Sequence, residues 1–313
     1  MAKIDKRKQL TASLLLTLAA FIWGSAFVAQ SEALDVLGHF TFLMSRSFFG
    51  VLTLIPVAVF IYKKGQKTGS GEHGEYKSFF SKDLLLGGSI CGVVLFTASE
   101  LQQVGIISSG VGKSGFLTTL YILAVPLLGL FLKRKVKPFM WVCIALGIIG
   151  MYFLCVSETS ALNFGDFMLI LCAVCFAVHI MVIDHFVKKV DGVRLSLVQF
   201  FVCGVLSLIT ALIFETIDFN LIKEAIIPIL YAGVLSSGVA YTLQIVSQKN
   251  LSPTVACLIM SLESVFAALS GALFGERLTG NEIFGCVLVF MATILAQLPI
   301  ENIKIKKEAV KKR

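Results

Sequence analysis

Long apolar stretches follow one another along the chain, with short polar turns between them. A helix needs about 20 apolar residues to cross a hydrocarbon core of roughly 30 Å, and each stretch is close to that length. The stretches are continuously apolar instead of alternating, which argues against the strands of a membrane barrel. The pattern predicts an all-α integral membrane protein with ten transmembrane helices, called spans one to ten. Their expected bounds are 10–29, 37–61, 84–103, 114–132, 138–156, 165–187, 194–214, 225–247, 253–274 and 281–298.

The composition excludes a soluble protein. Of the 313 residues, 57% are hydrophobic and only 15% are charged, and the mean hydropathy is +0.89. Soluble domains are about 45–50% apolar and about 25% charged. The turns are also too short to hold a soluble catalytic or receptor domain. We therefore expect residues 1–313 to form a single transmembrane domain.

The basic residues predict the orientation. The net charge is +8, and 23 of the 27 Lys and Arg residues fall on one side of the alternating spans, in the tails 1–9 and 299–313 and in the loops of that side. Only Lys113, Lys223 and Arg277 fall on the other side. Because cytoplasmic loops carry the excess of Lys and Arg, both termini are expected in the cytoplasm. The orientation in the membrane accounts for the positive net charge, so no nucleic-acid partner is expected.

The chain contains a weak internal repeat. A shift of 142 residues places spans three to five on spans eight to ten, with Gln102 on Gln244, and a shift of 153 places Arg46 on Gln199. The repeats are 10–156 and 165–298. A unit of five spans is odd, so the second copy must enter the membrane upside down. Inverted repeats of this kind are typical of secondary transporters.

Several motifs resemble a known family, the EamA-type transporters of the drug/metabolite transporter superfamily. They are Phe21-Ile-Trp-Gly-Ser-Ala-Phe27, the segment Ser261–Ala268 followed by Leu273-Phe-Gly-Glu-Arg-Leu-Thr279, Gly165-Asp166, and Gly115-Phe through Val125-Pro126. The resemblance covers nearly the whole chain. It implies a ten-helix, inverted-repeat carrier of small organic solutes. It also implies a central cavity lined mainly by spans one, three, four, six, eight and nine.

Glu263 is the first candidate for function. It lies near the middle of span nine, and its counterpart in the repeat is Tyr121. Ionisable residues inside a membrane are costly and usually face a cavity or a partner. We interpret Glu263 as a substrate-binding or proton-coupling carboxylate. The alternative is a protonated glutamate that only joins two helices.

Other polar residues on the cavity-forming spans are further candidates. His179 in span six is a second candidate for proton coupling or substrate binding, because histidine titrates near neutrality. A buried histidine with a structural partner is the alternative. The paired amides Gln102 and Gln244 suit either a polar substrate or helix packing. The remaining candidates for the cavity wall are Trp23, Ser25, Tyr121 and Tyr241.

Arg46, in span two, is expected to be structural. It could bind an anion, but its counterpart Gln199 indicates a hydrogen-bonding position, and span two is peripheral in the family that the chain resembles. A pairing with Glu100 in span three is expected. No catalytic residue, metal site or cofactor is expected, because Cys172-Ala-Val-Cys175 lies in an apolar helix with too few further ligands for zinc.

The sequence thus predicts a secondary transporter of the inner or plasma membrane. It would move an amino acid, a vitamin or a similar metabolite, by alternating access and with protons as a possible coupling ion. Two alternatives stay open: a nucleotide-sugar or lipid-linked flippase, and an intramembrane enzyme. Its partners would be the small-molecule substrate and the lipid bilayer, and the protein would be a monomer or a homodimer.

Overall fold

The expected spans are helical in the computed structural model, which describes residues 6–68, 78–109, 111–155, 163–273 and 278–298. Spans one to three are longer than expected, and a short extra helix, Phe219–Glu224, precedes span eight. The bounds are Lys6–Leu34, His39–Thr68, Lys82–Ser109, Val111–Thr119 with Tyr121–Phe131, Pro138–Cys155, Phe164–Phe186, Gly192–Phe214, Ile226–Leu230 through Gln248, Pro253–Met260 with Leu262–Leu273, and Gly280–Gln297.

The helices have the length and composition of membrane spans. Nine segments of the described chain are long and apolar enough to cross a bilayer, and span five, at Pro138–Leu154, is a slightly shorter apolar helix. No strand occurs in the described ranges. The prediction of an all-helical integral membrane protein is confirmed at this level.

Three spans are not the uniform helices that the apolar pattern predicts. Span four is interrupted at Leu120 and span nine at Ser261. After each break the first backbone hydrogen bond spans three residues instead of the usual four. Leu123 N–H donates to the carbonyl oxygen of Leu120, and Ser264 N–H donates to that of Ser261. Span eight contains a ten-residue π-helix, Tyr231–Ala240. Hydrophobic periodicity does not reveal such breaks, because every residue around them stays compatible with a helix.

The packing of the spans follows a paired pattern. Span three packs against spans six and seven, and span eight packs against spans one and two. Span four packs against span six, and span nine packs against span one. Spans two and seven contact each other, as do spans five and ten. The contacts are thus symmetric between the two halves. If each of spans one to five is replaced by its counterpart among spans six to ten, and the reverse, the same set of contacts results.

The basic residues collect at one end of the molecule. A cavity of about 910 Å³ at this end is lined by Lys6, Arg134, Lys188 and Lys249. Asp184 is buried there and accepts hydrogen bonds from Arg134 Nη1 at 2.6 Å and from Lys188 Nζ at 2.8 Å. The N-terminal tail and three loops therefore share one end, as the charge count requires.

Which end faces the cytoplasm stays a prediction. Residues 1–5, 156–162 and 299–313 and the backbone around Arg277 lie outside the described residues. The side chain of Lys113 also lies outside them.

Candidate functional site

The candidate site is a narrow central cavity with a volume of about 50 Å³. Helices one, two, three, four, six, eight and nine contribute to its wall. Six of the eight residues predicted to bind substrate line it: Trp23, Gln102, Tyr121, Tyr241, Gln244 and Glu263.

The breaks in spans four and nine meet at this cavity. Tyr121 begins the second segment of span four, and Glu263 lies in the first turn of the second segment of span nine. The hydroxyls of Thr119 and Ser264 lie 3.2 Å apart and join the two breaks. Transporters with repeated halves commonly place their substrate between discontinuous helices in corresponding positions. The local geometry therefore marks this point as the centre of the site.

Several polar atoms of the cavity wall are buried and have no hydrogen-bond partner in the described part of the chain. They include the indole Nε1 of Trp23, the hydroxyl of Tyr121 and the carbonyl oxygen Oε1 of Gln244. Buried polar groups are normally hydrogen-bonded, and each exception calls for an explanation. Two of these atoms are donors or can donate, and one accepts. Together they can hydrogen-bond a small polar molecule.

The aromatic side of the cavity is ordered by ring packing. The rings of Trp23 and Tyr241 form an edge-to-face pair with centroids 4.8 Å apart. Phe200 of span seven and His179 of span six also pack edge-on against Tyr241, at 5.3 and 6.3 Å. Because edge-to-face pairs fix ring orientation, Trp23 and Tyr241 form a firm wall.

Arg46 lies at the cavity, and its expected pairing with Glu100 is not formed. The arginine is buried and donates to Ser236 Oγ at 2.9 Å, to Ser237 Oγ at 3.2 Å and to Gln30 Oε1 at 3.3 Å. Glu100 pairs instead with His39, Oε2 to Nδ1 at 2.6 Å.

The helix packing explains this correction. A Cβ atom on Gly233 would lie 3.0 Å from the backbone oxygen of Arg46, so span eight approaches span two very closely at this point. The guanidinium consequently lies among the serines of span eight and does not point toward span three. The polar pair Ser236-Ser237 inside an apolar span is the sequence feature that could have predicted this position of the guanidinium.

His179 and Ser25, which are also predicted to bind substrate, are not among the residues that line this cavity. His179 is fully buried, and its Nε2 lies 3.1 Å from Oε1 of Gln199. Its neighbours Phe176 and Ile180 face the cavity instead. The hydroxyl of Ser25 lies 2.6 Å from that of Tyr231. Both residues lie on cavity-forming spans, but on other faces of those helices.

Gln30 is a residue of the site that the sequence analysis missed. It lines the cavity and donates to Oε1 of Gln103 at 3.0 Å. Trp23, Phe27 and Gln30 follow one another at intervals of four and three residues, which places them on one helix face. That spacing from Trp23 was the signal that could have found it.

The comparisons with known proteins agree with this architecture. A profile of the EamA-like transporter family matches the chain twice, over residues 10–156 and 163–298. An uncharacterized transporter of Archaeoglobus fulgidus is 30% identical over 300 residues, which cover 94% of this chain and 88% of that protein.

Two further likenesses are more distant. The threonine/homoserine exporter RhtA of Salmonella typhimurium is 29% identical over 183 residues, which cover 55% of this chain and 59% of the exporter. A crystal structure of another protein superposes with a TM-score of 0.73 at 16% identity, over 91% of this chain and 96% of that chain. At this identity the superposition shows the fold alone.

Proposed function

Because the chain belongs to the EamA-like transporter family, we propose that it is a secondary transporter that moves a small organic metabolite across the cell membrane by alternating access. One observation carries the proposal. The interrupted spans four and nine meet at the central cavity, and Tyr121 and Glu263 lie in its wall.

Two halves that rock around this cavity would supply the alternating access. The family profile matches each half separately, and the contacts between spans occur in pairs related by exchange of the halves. Both observations support an inverted repeat of 10–156 and 165–298. Related halves give inward-open and outward-open states of similar energy, so that a bound substrate or proton can shift the balance between them.

The cavity suits a small polar solute. Its wall combines five aromatic rings, three amides, two tyrosine hydroxyls, one carboxyl group and one guanidinium. An amino acid is a leading candidate, since one relative is named as a threonine/homoserine exporter. A nucleotide-sugar or a lipid-linked phosphate fits less well, because several cations would be needed and Arg46 is the one cationic residue in the described wall.

Glu263 is the candidate for proton coupling. Its carboxyl group forms no hydrogen bond or ion pair with the described residues, so it is available to exchange a proton or to bind a substrate. A protein in which Glu263 takes a proton on one side and releases it on the other would couple transport to the pH gradient. A protein in which it stays neutral would be a facilitator. His179, hydrogen-bonded away from the cavity, would act by supporting Tyr241.

Transport into sealed liposomes tests the proposal. The purified protein would be reconstituted and supplied with amino acids, nucleobases and vitamins, with and without a pH gradient, and the lumen would be analysed by mass spectrometry. A Glu263→Gln protein would be compared with Glu100→Gln, which removes an intramembrane carboxylate outside the cavity.

Accumulation of one compound only under the pH gradient, lost in Glu263→Gln and kept in Glu100→Gln, would support a coupled carrier. Equilibration without accumulation would support a facilitator. A folded preparation that moves none of these compounds above the level of empty liposomes would contradict the proposal.

A further inference from the structure

Two cavities at the basic end of the molecule join into one cleft. One has a volume of about 910 Å³ and the other of about 580 Å³. We call the joined cavities the basic cleft, and the residues that line both of them are Arg134, Ser252, Pro253, Val255 and Ala296. None of the described residues in its wall also lines the central cavity. The basic cleft is therefore separate from the candidate transport site.

The rim of the basic cleft is positively charged. Its basic residues are all exposed, and they are Lys6, Lys8, Arg134, Lys135, Lys137, Lys188 and Lys249. Asp184 is the one acidic residue in the described wall, and Arg134 and Lys188 already bond to it. Span nine begins here at Pro253, so the positive end of its first helix adds to the same field. The rim consequently has an excess of positive charge.

The inner wall of the basic cleft is apolar and continues onto the surface of the spans. Val125, Met140 and Met181 are buried in this wall. Leu10 and Leu298, which also line the cleft, are 60% and 48% exposed. Because both leucines lie at the ends of membrane spans, their exposed surfaces adjoin the bilayer. The cleft thus combines a cationic rim with an apolar wall that lipid can reach.

We propose that the basic cleft binds an anionic phospholipid, with the phosphate at the basic rim and an acyl chain along the apolar wall. Basic pockets between membrane helices on the cytoplasmic side are typical binding sites for acidic lipid headgroups. The basic end is the one expected on that side. The proposal concerns a second ligand, and it does not depend on the proposed transport function.

Other occupants fit the basic cleft less well. The tail 299–313 follows Leu298 directly, but it carries six basic and two acidic residues, so its net charge has the same sign as the rim. A soluble anion would leave the apolar wall uncovered. A lipid without net charge would leave the excess positive charge uncompensated. An anionic phospholipid matches both surfaces.

A lipid bound in the basic cleft would contact both halves of the protein. Lys6 belongs to span one and Arg134 follows span four, whereas Lys188 follows span six and Lys249 precedes span nine. A ligand that binds one arrangement of these segments better than another shifts the population toward it. The lipid should therefore favour the arrangement in which the basic ends of the two halves are close together.

Lipid binding to the purified full-length protein tests the proposal. Native mass spectrometry in detergent would measure the dissociation constants of phosphatidylglycerol and of phosphatidylcholine with the same acyl chains. The two lipids differ in the net charge of the headgroup and share their apolar part. Glycerol 3-phosphate, which has the anionic group without acyl chains, would be added as a competitor.

Two variants address the two surfaces of the cleft. The first, Lys6→Gln/Lys8→Gln/Lys249→Gln, removes charge from the rim. Its control removes the same charge from exposed lysines outside the cleft and is Lys63→Gln/Lys82→Gln/Lys189→Gln.

The second variant, Gly129→Leu, places a side chain in the apolar part of the cleft. An added Cβ at Gly129 meets only Cβ of Arg134, at 3.9 Å, so the helix can accept it. Its control is Gly280→Leu at the start of span ten, where an added Cβ meets nothing within 4 Å.

The wild type should prefer the anionic lipid, and both variants should weaken its binding. A basic residue near an acidic lipid surface strengthens binding about fivefold, so phosphatidylglycerol should bind the wild type about tenfold or more tightly than phosphatidylcholine. For the same reason the lysine variant should bind phosphatidylglycerol about tenfold or more weakly than the wild type. Gly129→Leu should also bind it more weakly. Both controls should keep the wild-type values.

Four results would overturn the proposal. Equal affinity of the wild type for the two lipids would remove the charge recognition. Equal weakening in the lysine variant and its control would mean a diffuse surface charge. Displacement of phosphatidylglycerol by a comparable concentration of glycerol 3-phosphate would mean a site for soluble anions. Unchanged binding in Gly129→Leu would place the lipid outside the cleft. Should a variant not fold, the wild-type comparison of the three ligands and the other variant still decide, and none of these results depends on uptake.

Discussion

The backbone carbonyl oxygen of Glu263 packs so closely on Gly24 that a Cβ atom at Gly24 would lie 2.6 Å from it. The same Cβ would lie 2.7 Å from Cβ of Phe266 and 2.8 Å from the backbone nitrogen of Ala267. Spans one and nine can approach to this distance only because residue 24 has no side chain. The position of the Glu263 carboxylate at the cavity depends on this approach.

Gly24→Ala should therefore displace span nine. Overpacking of a tight contact typically costs about 1–3 kcal/mol, and we expect a destabilisation in that range together with a clear loss of transport. Thermal unfolding in detergent and liposome uptake measure the two effects. The matched control is Gly115→Ala in span four, where an added Cβ meets nothing within 4 Å. Equal behaviour of the two variants would show that the contact is unimportant.

Removal of the Tyr121 hydroxyl should weaken substrate binding and leave the stability of the fold unchanged. This hydroxyl is buried and has no partner among the described residues, so Tyr121→Phe breaks no internal hydrogen bond. We expect unchanged thermal stability and a KM for transport raised about three- to tenfold, the value of roughly one hydrogen bond. Tyr152→Phe, at a half-exposed position of span five, is the control. An unchanged KM in Tyr121→Phe would mean that the hydroxyl does not contact the substrate.

Asp184 should stabilise the basic end of the molecule. Its carboxylate joins Arg134 and Lys188, and its side chain is only 2% exposed, whereas the two cations are 41% and 55% exposed. Because the cations can still reach water, we expect Asp184→Asn to cost about 1–2 kcal/mol, less than a fully buried pair. Thermal unfolding of Asp184→Asn beside the exposed Asp35→Asn measures this. A loss of equal size in both variants would contradict it.

The orientation can be tested by cysteine labelling in intact cells. Asp35 and Lys135 are exposed at opposite ends of the spans. If both termini are cytoplasmic, a membrane-impermeant thiol reagent should label Asp35→Cys from outside and should label Lys135→Cys only after the cells are opened. The parent protein, whose seven described cysteines are buried or half-buried, gives the background. The opposite labelling pattern would reverse the topology.

The sequence predicted the spans well because the requirement that defines them is local. A helix in lipid must be apolar for about 20 residues whatever it packs against, and each expected span begins and ends within a few residues of a helix in the structure, apart from the longer ends of spans one to three. The polar residues inside the spans could also be recognised from the local sequence, because they stand out in apolar segments. Six of the eight predicted binding residues line the cavity, since a polar group in a span needs a place away from lipid.

The direction in which each side chain points was decided by the tertiary structure. In a soluble helix the apolar stripe indicates the core, but a membrane helix is apolar on both its lipid-facing and its buried faces, so its rotation is hardly encoded in hydrophobicity. Contacts between helices therefore decide where these side chains lie. His179 lies against Gln199, and Arg46 lies among the serines of span eight. The breaks at Leu120 and Ser261 escaped prediction because they involve single residues with nearly helical geometry.

The sequence by itself thus determined the spans, the charge pattern and the family resemblance, because each depends on residues that are near one another along the chain. Only the tertiary structure decided that Arg46 and Glu263 line one cavity. They are separated by more than 200 residues along the chain. Both reach the cavity because Gly233 lets spans two and eight approach closely and Gly24 does the same for spans one and nine.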